Sequence, residues 1–158
     1  MAKSHFSAAI LARDNAGKPE VLVQPYDYRG EHQVKFAGGM GEPGEMPVRT
    51  AVRETEQETF LRIYPEDLEE VYCFSLPRDP EHTKHFFVGV KFRGVARREP
   101  IRDENGGELL LPPEWREVTL ELLAELFGQH RVALERAMPM LARKFESFGW
   151  RVRQLGLI

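Results

Sequence analysis

The sequence predicts an α+β fold in which helices pack on a mixed sheet. Two patterns carry this reading. The first third of the chain alternates short apolar runs with turn residues, as strands do, whereas after Thr119 the apolar period becomes helical. The two patterns do not alternate regularly, which argues against repeated βαβ units and for a helix–sheet–helix sandwich. At 158 residues and 42% hydrophobic, the chain is long enough for one domain, residues 1–158, with its own core.

Residues 5–12 read as a strand, and Asp14, Asn15, Ala16, Gly17 and Lys18 as a turn, because Asn, Asp and Gly tolerate positive φ. Val21, Leu22 and Val23 then form the returning strand of a hairpin. Residues 25–30 read as loop and residues 34–36 as one more short strand. Residues 37–45 hold four glycines and a proline, a loop shaped by its backbone. Pro47 suits a first helical position, and Val48, Ala51, Val52, Thr55 and Thr59 share one helical face, so a helix is expected at 47–60. Residues 71–76 and 86–92 read as strands, 93–113 as a long polar loop, and 115–118 as a last strand. Leu120, Leu123, Ala124 and Phe127 mark one terminal helix. Val132, Leu134, Ala137, Met138, Leu141 and Phe145 mark another, which Pro139 should kink or split.

Composition narrows the function. With 22 basic and 25 acidic residues the net charge is −3, which excludes a strongly basic nucleic-acid binder and gives no reason to seek an anionic membrane. A single cysteine, Cys73, excludes an internal disulfide framework and a Cys-rich zinc site. The longest early apolar stretch, residues 8–12, is too short to span a bilayer. A cytoplasmic location is the expectation.

The loop and the helix after it carry the chemistry. Glu54 and Glu58 are four apart and stand on one side of the helix, at the flank of its apolar face. A solvated charged face is the ordinary reading of such a pair. The preceding glycines change it, because they let a ligand approach the backbone. Carboxylates beside backbone carbonyls are hard oxygen ligands suited to Mg²⁺ or Mn²⁺, and such ions are commonly shared with substrate phosphates.

The segment resembles a known family motif. Gly39, Glu45 after five residues, Arg53 and Glu54 after seven more, then Glu58 and Leu61, follow the Nudix box, G-x5-E-x7-R-E-U-x-E-E-x-G-U, with U a bulky aliphatic. The match runs without a gap over residues 39–61, and Gly38 with Gly39 resembles its opening pair. Three positions depart from the pattern. Thr55 replaces the aliphatic, Gln57 the first of two glutamates, and Phe60 the glycine. Gln57 removes one negative charge from the metal site and should weaken metal binding. Phe60 is awkward if its position needs positive φ, unless the helix end is rebuilt. Ala37 stands where many relatives carry proline, a matter of rigidity.

The resemblance implies a Nudix-like α/β/α sandwich with a mixed β-sheet and metal-dependent hydrolysis of a diphosphate linkage in a nucleoside diphosphate derivative. It implies Glu54 and Glu58 as metal ligands, either able to act as base, with the Gly39 carbonyl as a further ligand. Arg53 and Glu45 become a structural pair. Glu114, just before Trp115, is the candidate late-loop ligand, with Glu108 and Glu104 as rivals; a surface residue at a strand start is the competing reading of Glu114. An ADP-sugar such as ADP-ribose is the first substrate expectation, on the proline at position 77, sixteen residues past Leu61. Two alternatives stand beside it: a degenerate domain that binds nucleotides without hydrolysis, and a nucleoside triphosphate pyrophosphatase. The expected partner is a nucleotide-derived small molecule, with no nucleic acid and no membrane. A homodimer is compatible with the aromatic-rich C-terminal helices.

Outside the box, His82 and His85 read as surface loop, His130 as a structural residue near a helix start, and Cys73 as buried and inert. Tyr26, Tyr28, Arg29 and His32 either stack on a base or pack as an ordinary loop. Arg97 and Arg98 read as solvated.

Overall fold

The computed structural model describes residues 3–102 and 107–157. Strand β1 (Ser4–Asn15) turns through Ala16 and Gly17, both at positive φ, into β2 (Lys18–Tyr28). The Gly17 N–H donates to the Asp14 carboxylate at 3.2 Å, the local bond that makes Asp a turn residue. Then follow β3 (Glu31–Lys35), β4 (Gly38–Met40), α1 (Pro47–Thr59), β5 (Glu69–Leu76) and β6 (Asp79–Gly89). Two short strands, β7 (Ile101–Arg102) and β8 (Glu108–Leu110), precede β9 (Glu114–Glu117) and three helices, α2 (Leu120–Glu125), α3 (Gln129–Lys144) and α4 (Glu146–Gln154).

The sheet runs β5-β6-β1-β2-β8-β7, with β3 and β9 also paired to β2 and β4 paired to β1. β1 and β6 are parallel and the other pairs antiparallel, so the sheet is mixed. Strand alternation sorts the core into two layers. Ala8, Ile10 and Ala12 of β1, with Val21, Val23, Phe86 and Val88, face Leu122, Leu134, Met138, Leu141 and Phe148 of the C-terminal helices. Ala9 and Leu11, with Leu22 and Phe87, face Ala51 of α1 and Leu61. Helices thus cover both faces, an α/β/α sandwich. Burying a side chain such as Phe86 or Leu134 contributes about 2–3 kcal/mol each.

Several expectations are corrected. Residues 25–28 belong to β2 instead of a loop, because β3 and β8 pair with them and the Leu111 N–H donates to the Pro25 carbonyl at 3.0 Å. His82 and His85 lie on β6, which begins at Asp79 because residues 77–78 make a tight turn out of β5. The expected long loop contains β7 and β8. Pro139 does not split its helix: α3 runs through it, and the break falls at Phe145, at φ −134° and ψ 129°. Burial of Ala137, Met138 and Leu141 around Pro139 offsets the lost bond, which alone costs about 3 kcal/mol.

Candidate active site

The glycine pair brings α1 against the sheet. A Cβ on Gly38 would sit 2.5 Å from the Ser7 carbonyl oxygen, and one on Gly39 would sit 2.5 Å from the carboxyl carbon of Glu54. Only residues without a side chain let this backbone lie between β1 and the helix. The gain is a short strand, β4, that pairs Gly39 with Ser7 and Gly38 with Ala8.

Arg53 locks the loop to the helix. Its Nε donates to Glu45 Oε2 and one terminal nitrogen to Glu45 Oε1, both at 2.9 Å. The same nitrogen reaches the Met40 carbonyl at 3.0 Å, and the other donates to Glu54 Oε1 at 2.8 Å. The bonds from Arg53, with others from Thr50 and the Glu42 N–H, hold the Glu45 carboxyl down to about 2. The expected Arg53–Glu45 pairing is therefore present, and it orients Glu54 as well.

Glu58 is in a different environment. Its side chain is almost fully buried, and Oε1 accepts the Gly38 N–H at 2.8 Å. Burial pushes its carboxyl up to about 7, against the opposing effects of Lys35 and the Gly38 bond and with the help of Glu54 and Glu108. The Lys35 ammonium lies 3.9 Å from Glu58 and 3.3 Å from Glu108. Glu54, Glu58, Gly39, Lys35 and Glu108 thus form one electrostatic group. Glu114 lies elsewhere on the sheet, half-exposed on β9 opposite Val23, with Arg116 at 3.6 Å. Glu104 lies outside the described residues.

Phe60 takes the left-handed conformation at the end of α1, with φ 69°, and its N–H donates to the Glu56 carbonyl. The helix end is not rebuilt around the bulky residue. The ring projects into solvent, 56% exposed, so the conformation is met without a clash. Gln57 is exposed, its amide oxygen 3.4 Å from Arg53.

Arg97 is not solvated as expected. It is buried, and its guanidinium donates to the carbonyls of Glu58, Glu99, Leu110 and Leu111 and to the Gln24 amide oxygen. This tie fixes the end of α1 to the chain around β8. Arg98 is exposed, as read.

A cavity of about 320 Å³ opens beside Lys35, lined by Phe6, Tyr26, Lys84, Phe86, Phe127 and His130 among others. His130 is buried, and its Nδ1 accepts the Phe36 N–H at 3.0 Å. Burial holds this imidazole down to about 3, so it is neutral with its proton on Nε2. Tyr26 lies in β2 against β3, its ring 4.8 Å from the Lys35 ammonium. Among the described residues no helix is long and apolar enough to cross a membrane.

Gly39 closes directly on Glu54, and Glu58 is the buried carboxylate of the group. The donors are therefore all oxygens, a set that fits a hard divalent cation. Comparison with known proteins bears on the fold. The chain resembles the MutT/nudix family protein of Enterococcus faecalis (TM-score 0.62, 17% identity, 90% of this chain and 63% of that one). It also resembles the ORF135 protein of E. coli (TM-score 0.64, 22% identity, 90% and 94%). A third likeness is to the NUDIX domain of Shewanella oneidensis NrtR, solved with ADP ribose (TM-score 0.65, 15% identity, 89% and 90%). The chain spans less than two thirds of the E. faecalis protein, and at these identities the likenesses show the fold. No curated protein matches the sequence significantly. The family model of the NUDIX domain matches residues 3–138, and the chain belongs to the NUDIX-domain family.

Proposed function

We propose that this protein hydrolyses a diphosphate linkage in a nucleoside diphosphate derivative with the help of Mg²⁺ or Mn²⁺, and that an ADP-sugar such as ADP-ribose is its substrate. The observation that carries the reading is Glu58, a buried carboxylate at about 7, grouped with Glu54 and the Gly38–Gly39 backbone. Glu54, Glu58 and the Gly39 carbonyl would hold the cation. When bound, it would neutralise diphosphate charge and lower the pKa of attacking water.

The remaining work falls to the chain. Glu54 and Glu58 are the two carboxylates placed to act as general base; burial holds Glu58 up to about 7 without a cation, and a bound cation would favour its ionised form. Arg53 fixes the direction of Glu54. Lys35 lies between Glu58 and the aromatic cavity, where an ammonium meets a diphosphate whose base occupies the cavity. Phe6 and Phe127 offer flat faces to that base, and His130 offers a donor at Nε2. Glu108, already paired with Lys35, supports the role of later carboxylate better than Glu114 does. The ADP ribose bound by the Shewanella NUDIX domain favours the substrate assignment.

One observation favours a second reading, a domain that binds without turnover: Gln57 sits next to Arg53 where the box has a carboxylate. A screen of ADP-ribose, other nucleotide sugars, dinucleotides and nucleoside triphosphates, each with Mg²⁺, Mn²⁺ or EDTA, tests the proposal. AMP release from ADP-ribose, abolished by EDTA, is the expected result. Pyrophosphate release from triphosphates alone refutes the substrate, and binding without turnover refutes the hydrolase.

A further inference from the structure

A group of side chains lies on the sheet away from the carboxylates of α1. Residues paired in register on neighbouring strands share a face. Cys73 of β5 pairs with His85 of β6, His85 with Ser7 of β1, and Ser7 with Gly39 of β4. These four form a row across the sheet on the face that α1 covers, since Ala9 and Phe87, two residues along, pack there. Three strand spacings separate Cys73 from Gly39, about 14 Å.

A β-bulge completes the group. The β5–β6 register shifts between Glu70 and Tyr72, and Val71, Tyr72 and Phe74 all pack toward the C-terminal helices. The extra residue turns Glu70 to the same face as Cys73. Glu70 Oε2 then lies 3.1 Å from His85 Nδ1, and one donor atom from each of Glu70, Cys73 and His85 falls within 4.8 Å of the other two. Cys73 is exposed, contrary to the buried position expected, because β5 is the sheet's edge.

We propose that Glu70, Cys73 and His85 form a second cation site, selective for a borderline transition ion such as Zn²⁺ and separate from the Glu54–Glu58 site. The donor set is a carboxylate oxygen, a sulfur and an imidazole nitrogen, which suits Zn²⁺ and which Mg²⁺ avoids. Zinc bonds of about 2.0–2.3 Å need the donors roughly 4 Å or less apart, so the side chains must close in from their present spacing, which the exposure of Glu70 and Cys73 permits. His85 Nε2 lies 2.9 Å from Thr83 Oγ1 and 4.0 Å from Cys73 Sγ, so with Nδ1 bound the exposed thiol swings to the Nδ1 side and Thr83 remains the outer contact that orients the imidazole. A second observation points the same way. Ser7 Oγ, next to His85 on this face, is fully buried and has no hydrogen-bond partner among the described residues. Fold stability gives little reason for the cluster, since a partly exposed Glu–His pair is worth at most about 1 kcal/mol.

Cobalt(II) titration of the full chain tests the proposal, because a thiolate on Co²⁺ gives a charge-transfer absorption that oxygen donors do not. One equivalent should bind with that absorption. It should persist in a Glu54→Gln, Glu58→Gln double variant, vanish in Cys73→Ser, and weaken about tenfold or more in affinity in Thr83→Val. One equivalent of Zn²⁺ should bleach it, and millimolar Mg²⁺ should not. No charge-transfer absorption in the folded wild-type chain, equal Co²⁺ affinity in wild type and Cys73→Ser, or bleaching by Mg²⁺ would each overturn the proposal.

Discussion

Replacing Glu58 by Gln separates what this residue costs the fold from what it gives the site. A buried glutamate held at about 7 instead of its usual 4.5 keeps its proton in the folded state while the unfolded chain has already lost it. Between those two values the folded state binds more protons, so stability falls as pH rises, and the loss is complete above about pH 7. The difference amounts to about 3 kcal/mol at pH 8 and under about 1 kcal/mol at pH 5. Glutamine has nearly the same shape, its amide oxygen can still accept the Gly38 N–H, and Lys35 keeps Glu108. In EDTA, urea unfolding should therefore find Glu58→Gln more stable than wild type by about 3 kcal/mol at pH 8 and nearly equal at pH 5. Added Mg²⁺ should stabilise the wild type at pH 8 and the variant much less, because the cation binds the ionised form. An equal difference at both pH values, or a variant less stable at pH 8, refutes the reasoning that burial sets this carboxyl.

Three more outcomes are expected. Phe60→Gly should gain about 1 kcal/mol, since φ is 69° and the ring is mostly in solvent; an unchanged melting temperature would show that the cap carries no strain. Gly39→Ala places a methyl 2.5 Å from the Glu54 carboxyl carbon, so kcat should fall roughly 100-fold with the fold retained, and activity within twofold of wild type removes Glu54 from the site. Gln57→Glu restores a charge near Arg53 and should tighten Mn²⁺ binding on the order of tenfold by calorimetry; an unchanged Kd places this side chain away from the cation.

The loop–helix segment was readable because its information is local. A helix expected at 47–60 is Pro47–Thr59, and the spacing that joins Glu45 to Arg53 in sequence joins them in space. Features built from distant residues were not readable. Arg97 finds its partners at positions 24, 58, 99, 110 and 111, and no local pattern announces that convergence. Lys35 is one polar residue in a short strand, and only the pairing of β2 with β3 and β8 sets it between Glu58 and Glu108. β4 hid inside a glycine-rich stretch, where two missing side chains erase the alternation that marks a strand. Cys73 was misread because a strand's own sequence does not say whether it lies at the edge of the sheet.

In the proposed function the carboxylates of α1 perform metal-dependent hydrolysis. The most direct test is turnover of ADP-ribose by wild type and Glu58→Gln at pH 8, with Mg²⁺ or Mn²⁺ and with EDTA. Turnover in the wild type that EDTA abolishes is expected, with a Glu58→Gln variant that is folded, at least as stable, and slower by 100-fold or more. Turnover that survives EDTA, or a variant that matches the wild-type rate, contradicts the proposed function.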